Sequence, residues 1–209
     1  MNTRTIIIGI SLCFSFISCE KYENESQYCV NKIHDSVTTN SLPQNQIDSI
    51  KYLFDYNHLD YTKYQFYSFQ LDELGYHHVK CYQFKNNLKL FTNDLIFHFN
   101  EKNSYYYLSG KLIEKVSLDS KSTMNYNSVV TKFISALDQD KDFFVGKEII
   151  KNDCFDLEFG YYDLNTGISN SLENFTKAWK IKPTNKDYPY AYINDMNSVV
   201  IGYDNGIRY

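Results

Sequence analysis

The sequence predicts an α+β protein built from two modules in tandem, each a helix packed on an antiparallel sheet. Three observations predict it. The chain holds 20 Tyr and 15 Phe against 8 Gly and 3 Pro, and aromatic side chains favour half-buried pleated surfaces. Two separate stretches place apolar residues three and four apart, the spacing of an amphipathic helix. Each is followed by aromatic or alternating runs broken by Asn-rich turns, an order that reads as helix and then sheet. With 209 residues, 43% of them hydrophobic and 22% charged, the chain can bury a core as one domain or two small ones.

The first helix is expected in "SLPQNQIDSIKYLFDYNHLD", with Ser41 as cap, Pro43 in the first turn and an apolar stripe of Ile47, Ile50, Leu53 and Phe54 that ends near Asn57. Strands follow in "YQFYSFQLDE" and then three times within residues 77–113, with turns at Asn86-Asn87 and at 100–104, where Asn tolerates left-handed backbone. In "DLIFHFN", alternation sets Ile96, His98 and Asn100 on one face and Leu95, Phe97 and Phe99 on the other. The second helix is expected in "NYNSVVTKFISALDQD", from Val129, Val130, Phe133, Ile134 and Leu137. Four more strands read from "FDLEFGYYDL", "TKAWKIKPT", "YPYAYIND" and "SVVIGYD", separated by turns at Asn165-Thr166-Gly167, Asn185-Lys186-Asp187 and Met196-Asn197-Ser198. The modules meet near residues 116–122.

The N-terminus has a positive Arg4 followed by an apolar run of 13 residues from Thr5 to Ile17. That is short of the roughly 20 residues needed to span a bilayer and suits a secretory signal. Phe16-Ile17-Ser18-Cys19 resembles a lipobox, the site at which bacterial lipoproteins are cut before an acylated Cys, although Leu is commoner where Phe16 stands. The resemblance implies a signal peptide over 1–18, cleavage between Ser18 and Cys19, and lipidation of Cys19 with membrane attachment through that lipid. The charged residues after Cys19 read as a solvated tether over 19–40. They resemble the surface-export signals of some lipoproteins, so the expected location is the outer membrane, on its periplasmic face or at the cell surface. With Cys19 lipidated, Cys29, Cys81 and Cys154 allow at most one internal disulfide, its pairing open.

The formal charge of −4 offers no basic footprint, which excludes nucleic acid as a partner. "GYHHVKCYQF" carries His77, His78 and Cys81, a combination that suggests a metal site. On a strand, however, His77 and His78 point to opposite faces. His77 and Cys81 share a face but stand roughly 13 Å apart at about 3.3 Å per residue, far beyond metal–ligand bonds of about 2.0–2.3 Å. No metal and no cofactor are expected. HExxH, GxSxG, a phosphate loop and an EF-hand loop are all absent from the sequence. Asp94, Glu101, Asp156 and Glu158 are scattered, with no paired-carboxylate signature, so no catalytic residues are assigned.

Residues 75–113 carry a further pattern. Gly75, a strand with His78, then Tyr82-Gln83, the Asn86-Asn87 turn, Ile96-Phe97-His98, the turn at 100–103 and Ser109-Gly110 together resemble the propeptide domain found ahead of thermolysin- and fungalysin-type metallopeptidases. The family commonly has Gly where Asn87 stands. Residues 178–206, with Trp179, Ala191-Tyr192-Ile193, Asp195 and Val199-Val200-Ile201, are similar to the PepSY domain that often follows it, with Asn197-Ser198 in place of the usual x-Gly turn. The resemblances imply a propeptide-like domain over 41–115 and a PepSY-like domain over 123–209, both cystatin-like in fold and without catalytic residues. In precursors such modules fold with the peptidase, cover its cleft and inhibit it. The expectation is a stand-alone, lipid-anchored, non-enzymatic envelope protein that binds a metallopeptidase in trans and inhibits or escorts it. The alternative is a scaffold for an unrelated envelope partner. Oligomeric state is not legible.

Overall fold

The computed structural model of the chain describes residues 28–34, 42–143, 146–168 and 172–208. The expected signal segment 1–18, the cleavage and lipidation residues Ser18 and Cys19, and the cap residue Ser41 lie outside the described residues. The fold is α+β: one sheet of nine strands carrying helices.

In chain order the elements are β1 (Val30–His34), α1 (Gln44–Tyr56), a 3-10 turn (Tyr61–Lys63), β2 (Tyr64–Leu71), β3 (His77–Lys85), β4 (Leu88–Phe99) and β5 (Tyr105–Ser109). The second half adds α2 (Tyr126–Gln139), a short α3 (Lys147–Lys151), β6 (Phe155–Asp163), β7 (Phe175–Pro183), β8 (Tyr190–Asn194) and β9 (Val200–Asp204). Helix α1 buries the predicted stripe of Ile47, Ile50, Leu53 and Phe54 and closes at Asn57, with Pro43 one position earlier than expected, as the residue that caps it. Helix α2 starts on Asn125, whose side chain accepts from the Ser128 N–H at 2.8 Å, one of the donors a helix start leaves free. The Asn86-Asn87 turn has positive φ at both residues, 49° and 64°. That is the handedness a two-residue hairpin needs, and Asn86 and Asn87 supply it without a glycine.

The two long helices, α1 and α2, each cover an apolar cluster of their own. Beneath α1, Phe54 meets Phe66, Phe97 and Phe99, with Val79, Cys81 and Leu95 alongside. Beneath α2, Val129, Val130, Phe133 and Leu137 pack on Phe155, Leu157, Phe159, Tyr161, Trp179 and Ile181. The two sheets are not separate. The strand order is β2-β3-β4-β6-β7-β8-β9, with β5 added to β4 and β1 to β6. The junction is a short parallel pairing in which Lys89 faces Gly160 and Leu90 faces Tyr161. A Cβ on Gly160 would lie 2.6 Å from the Lys89 carbonyl oxygen and 2.7 Å from the Phe91 ring, so only glycine lets β4 approach so closely.

Residues 29–34 differ from the expected tether. Val30–His34 is a strand parallel to β6, and Cys29 is disulfide-bonded to Cys154 at its start. Val30 packs against the α2 cluster, and the crosslink supplies the proximity that the polar flanks of this segment do not announce. The segment between the modules has no regular structure, yet its backbone is held by side chains. Gln83 donates to the Ile113 carbonyl (2.6 Å) and accepts from its N–H (2.9 Å). Asn86 donates to the Leu118 carbonyl (3.0 Å), and so does the Tyr161 hydroxyl (3.0 Å). Backbone groups outside helix and sheet need such partners when buried.

Candidate functional site: the uncovered face of the sheet

Most residues singled out by family resemblance are structural nodes. Trp179 and Asp195, 16 residues apart, are in contact: the buried indole N–H donates to the carboxylate at 3.0 Å. Asp195 also accepts from the backbone N–H groups of Thr123 (2.8 Å) and Met124 (3.0 Å) and from the hydroxyls of Ser122 (3.0 Å) and Thr123 (2.8 Å). Burial pushes its carboxyl up, but these donors together hold it below the usual carboxylate range. Gly110 has φ +95°, and a Cβ there would stand 2.5 Å from the Asp94 carbonyl oxygen. Gly75 has φ +83° in the β2–β3 turn, again a left-handed position that glycine takes without strain. Gln83 is the clamp on Ile113.

His78, His98, Tyr82 and Tyr192 belong instead to the face of the sheet opposite the helices. Alternation along β3 puts Val79 and Cys81 in the core and His78, Lys80 and Tyr82 on the other side. His77, as expected, points away from His78; it stacks on Phe69 with ring centres 5.5 Å apart. Among the described residues no group of three or more His, Cys, Asp or Glu could hold a metal ion.

His98 and His78, which no spacing in the sequence links, are cross-strand neighbours. Their Nδ1 atoms are 2.7 Å apart, His78 Nε2 lies 3.1 Å from Asp72 Oδ2, and His98 Nε2 lies 3.0 Å from Ser109 Oγ. His98 also stacks flat on Tyr107, ring centres 4.0 Å apart. Proton positions follow from the network. With both rings neutral, Ser109 donates to His98, His98 Nδ1–H donates to His78, and His78 Nε2–H donates to Asp72. One added proton keeps every bond: it turns round those between the two rings and to Ser109, while His78 goes on donating to Asp72. A second sets N–H against N–H and breaks the pair.

Burial and then the neighbouring His78 hold His98 below the usual histidine range. A depressed folded value means that the stability contributed by neutral His98 is full above about pH 6.5 and is lost as pH falls through that lowered value. Strand β5, which hangs on His98 through Tyr107 and Ser109, should therefore loosen in acid. Its amides at 105–109 should lose roughly tenfold in exchange protection between pH 7.5 and 5, after correction for intrinsic rates, the scale of one lost hydrogen bond. His78→Gln should flatten that response. Unchanged protection at 105–109 in the unmodified chain would refute it.

Towards the module junction the same face carries aromatic rings interleaved with charges. Tyr67 and Tyr82 stack with ring centres 4.6 Å apart, and Lys89 Nζ sits 3.8 Å from the centre of the Tyr82 ring while pairing with Glu158 at 3.2 Å. Beyond Glu158 come Lys180, Tyr190 and Tyr192, and Tyr192 touches Phe91 and Tyr162. Burial, followed by Asp94 and Glu158, pushes the Tyr82 hydroxyl up to about 12. Asp94 is itself exposed, yet partial desolvation beside these rings raises its carboxyl against the pull of Lys89, Lys180 and Lys80. This surface is therefore partly desolvated and mixed in charge, with several aromatic rings held in place by their neighbours.

No family model matches the chain, and no curated protein does. Four chains of solved structures are similar to it. One is the C-terminal domain of YpeB from Bacillus megaterium, aligned over 82% of this chain and 68% of that one at 10% identity and a TM-score of 0.40. A likeness at that level assigns no role to any residue.

Proposed function

We propose that the chain is a lipid-anchored, non-catalytic binding protein of the cell envelope that engages an extended segment of a metallopeptidase in trans and inhibits or escorts it. The observation that carries the binding role is the uncovered face of the nine-stranded sheet, whose path ends in two strands that, among the described residues, are paired on one side only, β2 and β9. Unpaired strand edges offer backbone donors and acceptors to an extended chain, and adjacent rings supply contact area. The choice of a metallopeptidase rests on the propeptide-like pattern over residues 75–113. The Cys29–Cys154 disulfide supports an oxidising compartment such as the envelope.

The test is a titration of the chain from residue 20 onward against metallopeptidase activity among the secreted proteins of the producing organism. Saturable inhibition at sub-micromolar protein is expected. No effect on any peptidase present would sink inhibition in trans.

A further inference from the structure

On the uncovered face, β6 presents Asp156 and Glu158 directly opposite Lys182 and Lys180 of β7. Simple pairing would join Glu158 to Lys180. Instead Glu158 is taken by Lys89 from β4, at 3.2 Å. Asp156 accepts from Thr184 Oγ1 (3.0 Å) and Asn31 Nδ2 (3.2 Å), and Lys182 pairs with the exposed Asp187 at 3.0 Å. Lys180 is left over. Among the described residues no carboxylate lies within ion-pair distance of its Nζ, which is held between the rings of Tyr190 and Tyr192, 5.0 and 5.7 Å from their centres. Burial holds the Lys180 ammonium below the usual lysine range.

Beside it opens a pocket of about 170 Å³ lined by Gln65, Lys89, Asp156, Glu158, Lys180 and Lys182. That is roughly the space of five or six liquid waters, room for a carboxylate with one or two methylenes. A half-buried ammonium that Glu158 and Asp187 reach only at longer range, with no carboxylate in direct contact, gains most from an anion that can displace water from it. Both carboxylates lining the pocket make their direct contacts elsewhere, so a carboxylate in contact with the Lys180 ammonium has to come from outside.

We propose that this pocket is a carboxylate-binding subsite, with Lys180 as its principal cation and Lys182 beside it, that takes an acidic side chain of an extended segment laid across the open face. The inference deepens the binding role proposed above and rests on it. The Tyr190 and Tyr192 rings orient the ammonium, and the segment's backbone runs along the strands.

The test uses the full chain in mild detergent and two fluorescently labelled nonapeptides of alternating Ser and Val, one with a central Glu and one with Gln. The Glu peptide is expected to bind at least tenfold more tightly. That preference should vanish in Lys180→Met, which keeps the apolar stem, and persist in Lys180→Arg, which keeps the charge. Equal binding of the two peptides overturns the subsite and leaves the open-face reading standing. Binding of neither peptide overturns both. If glutarate shifts the Lys180 resonance of the ¹³C-dimethylated chain while neither peptide binds, the occupant is a free carboxylate and the peptide proposal fails. Wild-type-like exchange protection of β6 and β7 in Lys180→Met shows that loss of preference is not loss of fold.

Discussion

Replacing Asp195 with alanine should destabilise the protein by about 3–5 kcal/mol, the range for removing one member of a buried charged network. Its carboxylate is the shared acceptor for Trp179, Ser122, Thr123 and Met124, and the side chain is 2% exposed, so water cannot readily replace it. Alanine strands two backbone N–H groups at once and leaves the indole only the Ser122 hydroxyl, at 3.2 Å. Urea unfolding followed by Trp179 fluorescence reads the loss, and a change below about 1 kcal/mol would refute the hub. Because the folded carboxyl lies below its usual value, the stability it contributes is present above the usual carboxylate pKa and lost as pH falls through the folded one. Asp195→Asn should therefore remove this part of the acid sensitivity, while costing less than alanine.

Reducing the Cys29–Cys154 bond should lower stability by about 2–5 kcal/mol. Its ends are 125 residues apart, and closing a loop of that size removes much freedom from the unfolded chain, about 5 kcal/mol on the loop-entropy estimate. Unfolding curves with and without reductant measure the difference, and Cys29→Ser/Cys154→Ser should reproduce it. Cys81 does not confuse the measurement: it is fully buried, and burial pushes its thiol up, away from the reactive thiolate. Overlapping curves in the two conditions would mean that β1 and its crosslink add little.

Both predictions concern contacts that the sequence only half disclosed. The helices were legible because Ile47, Ile50, Leu53 and Phe54, and likewise Val129, Val130, Phe133 and Leu137, mark one face by spacing alone. The Asn86-Asn87 turn was legible because few residues accept two successive left-handed angles. Asp195 and Trp179 stood out by resemblance, but their contact with each other depends on the hairpin between them and on residues 122–124, which are distant in sequence.

The His78–His98 pair was hidden by register. Counting back from the Lys85↔Leu88 pair places Leu95 opposite His78; an irregularity between Tyr82 and Phe84 absorbs three further residues of β4 and puts His98 there instead. The parallel contact of β4 with β6 and the pairing of Cys29 with Cys154 are also long-range choices, for which spacing carries no signal. Lys180 was invisible for another reason. Its opposition to Glu158 looks satisfied in any strand alignment, and only the arrival of Lys89 from another module leaves it, among the described residues, without a carboxylate in direct contact.

The crosslink of β1 to the start of β6 has a mechanical consequence. Strand β6 pairs with β1, β4 and β7, which makes it the mid-rib of the molecule. Any pull on the residues before Cys29 enters the fold covalently at Cys154 and is shared by backbone ladders on both sides of that rib. Neither β2 nor β9 lies on this load path. Tension that arrives from the N-terminal side is thus received first at the centre of the sheet and not at its β2 or β9 margin.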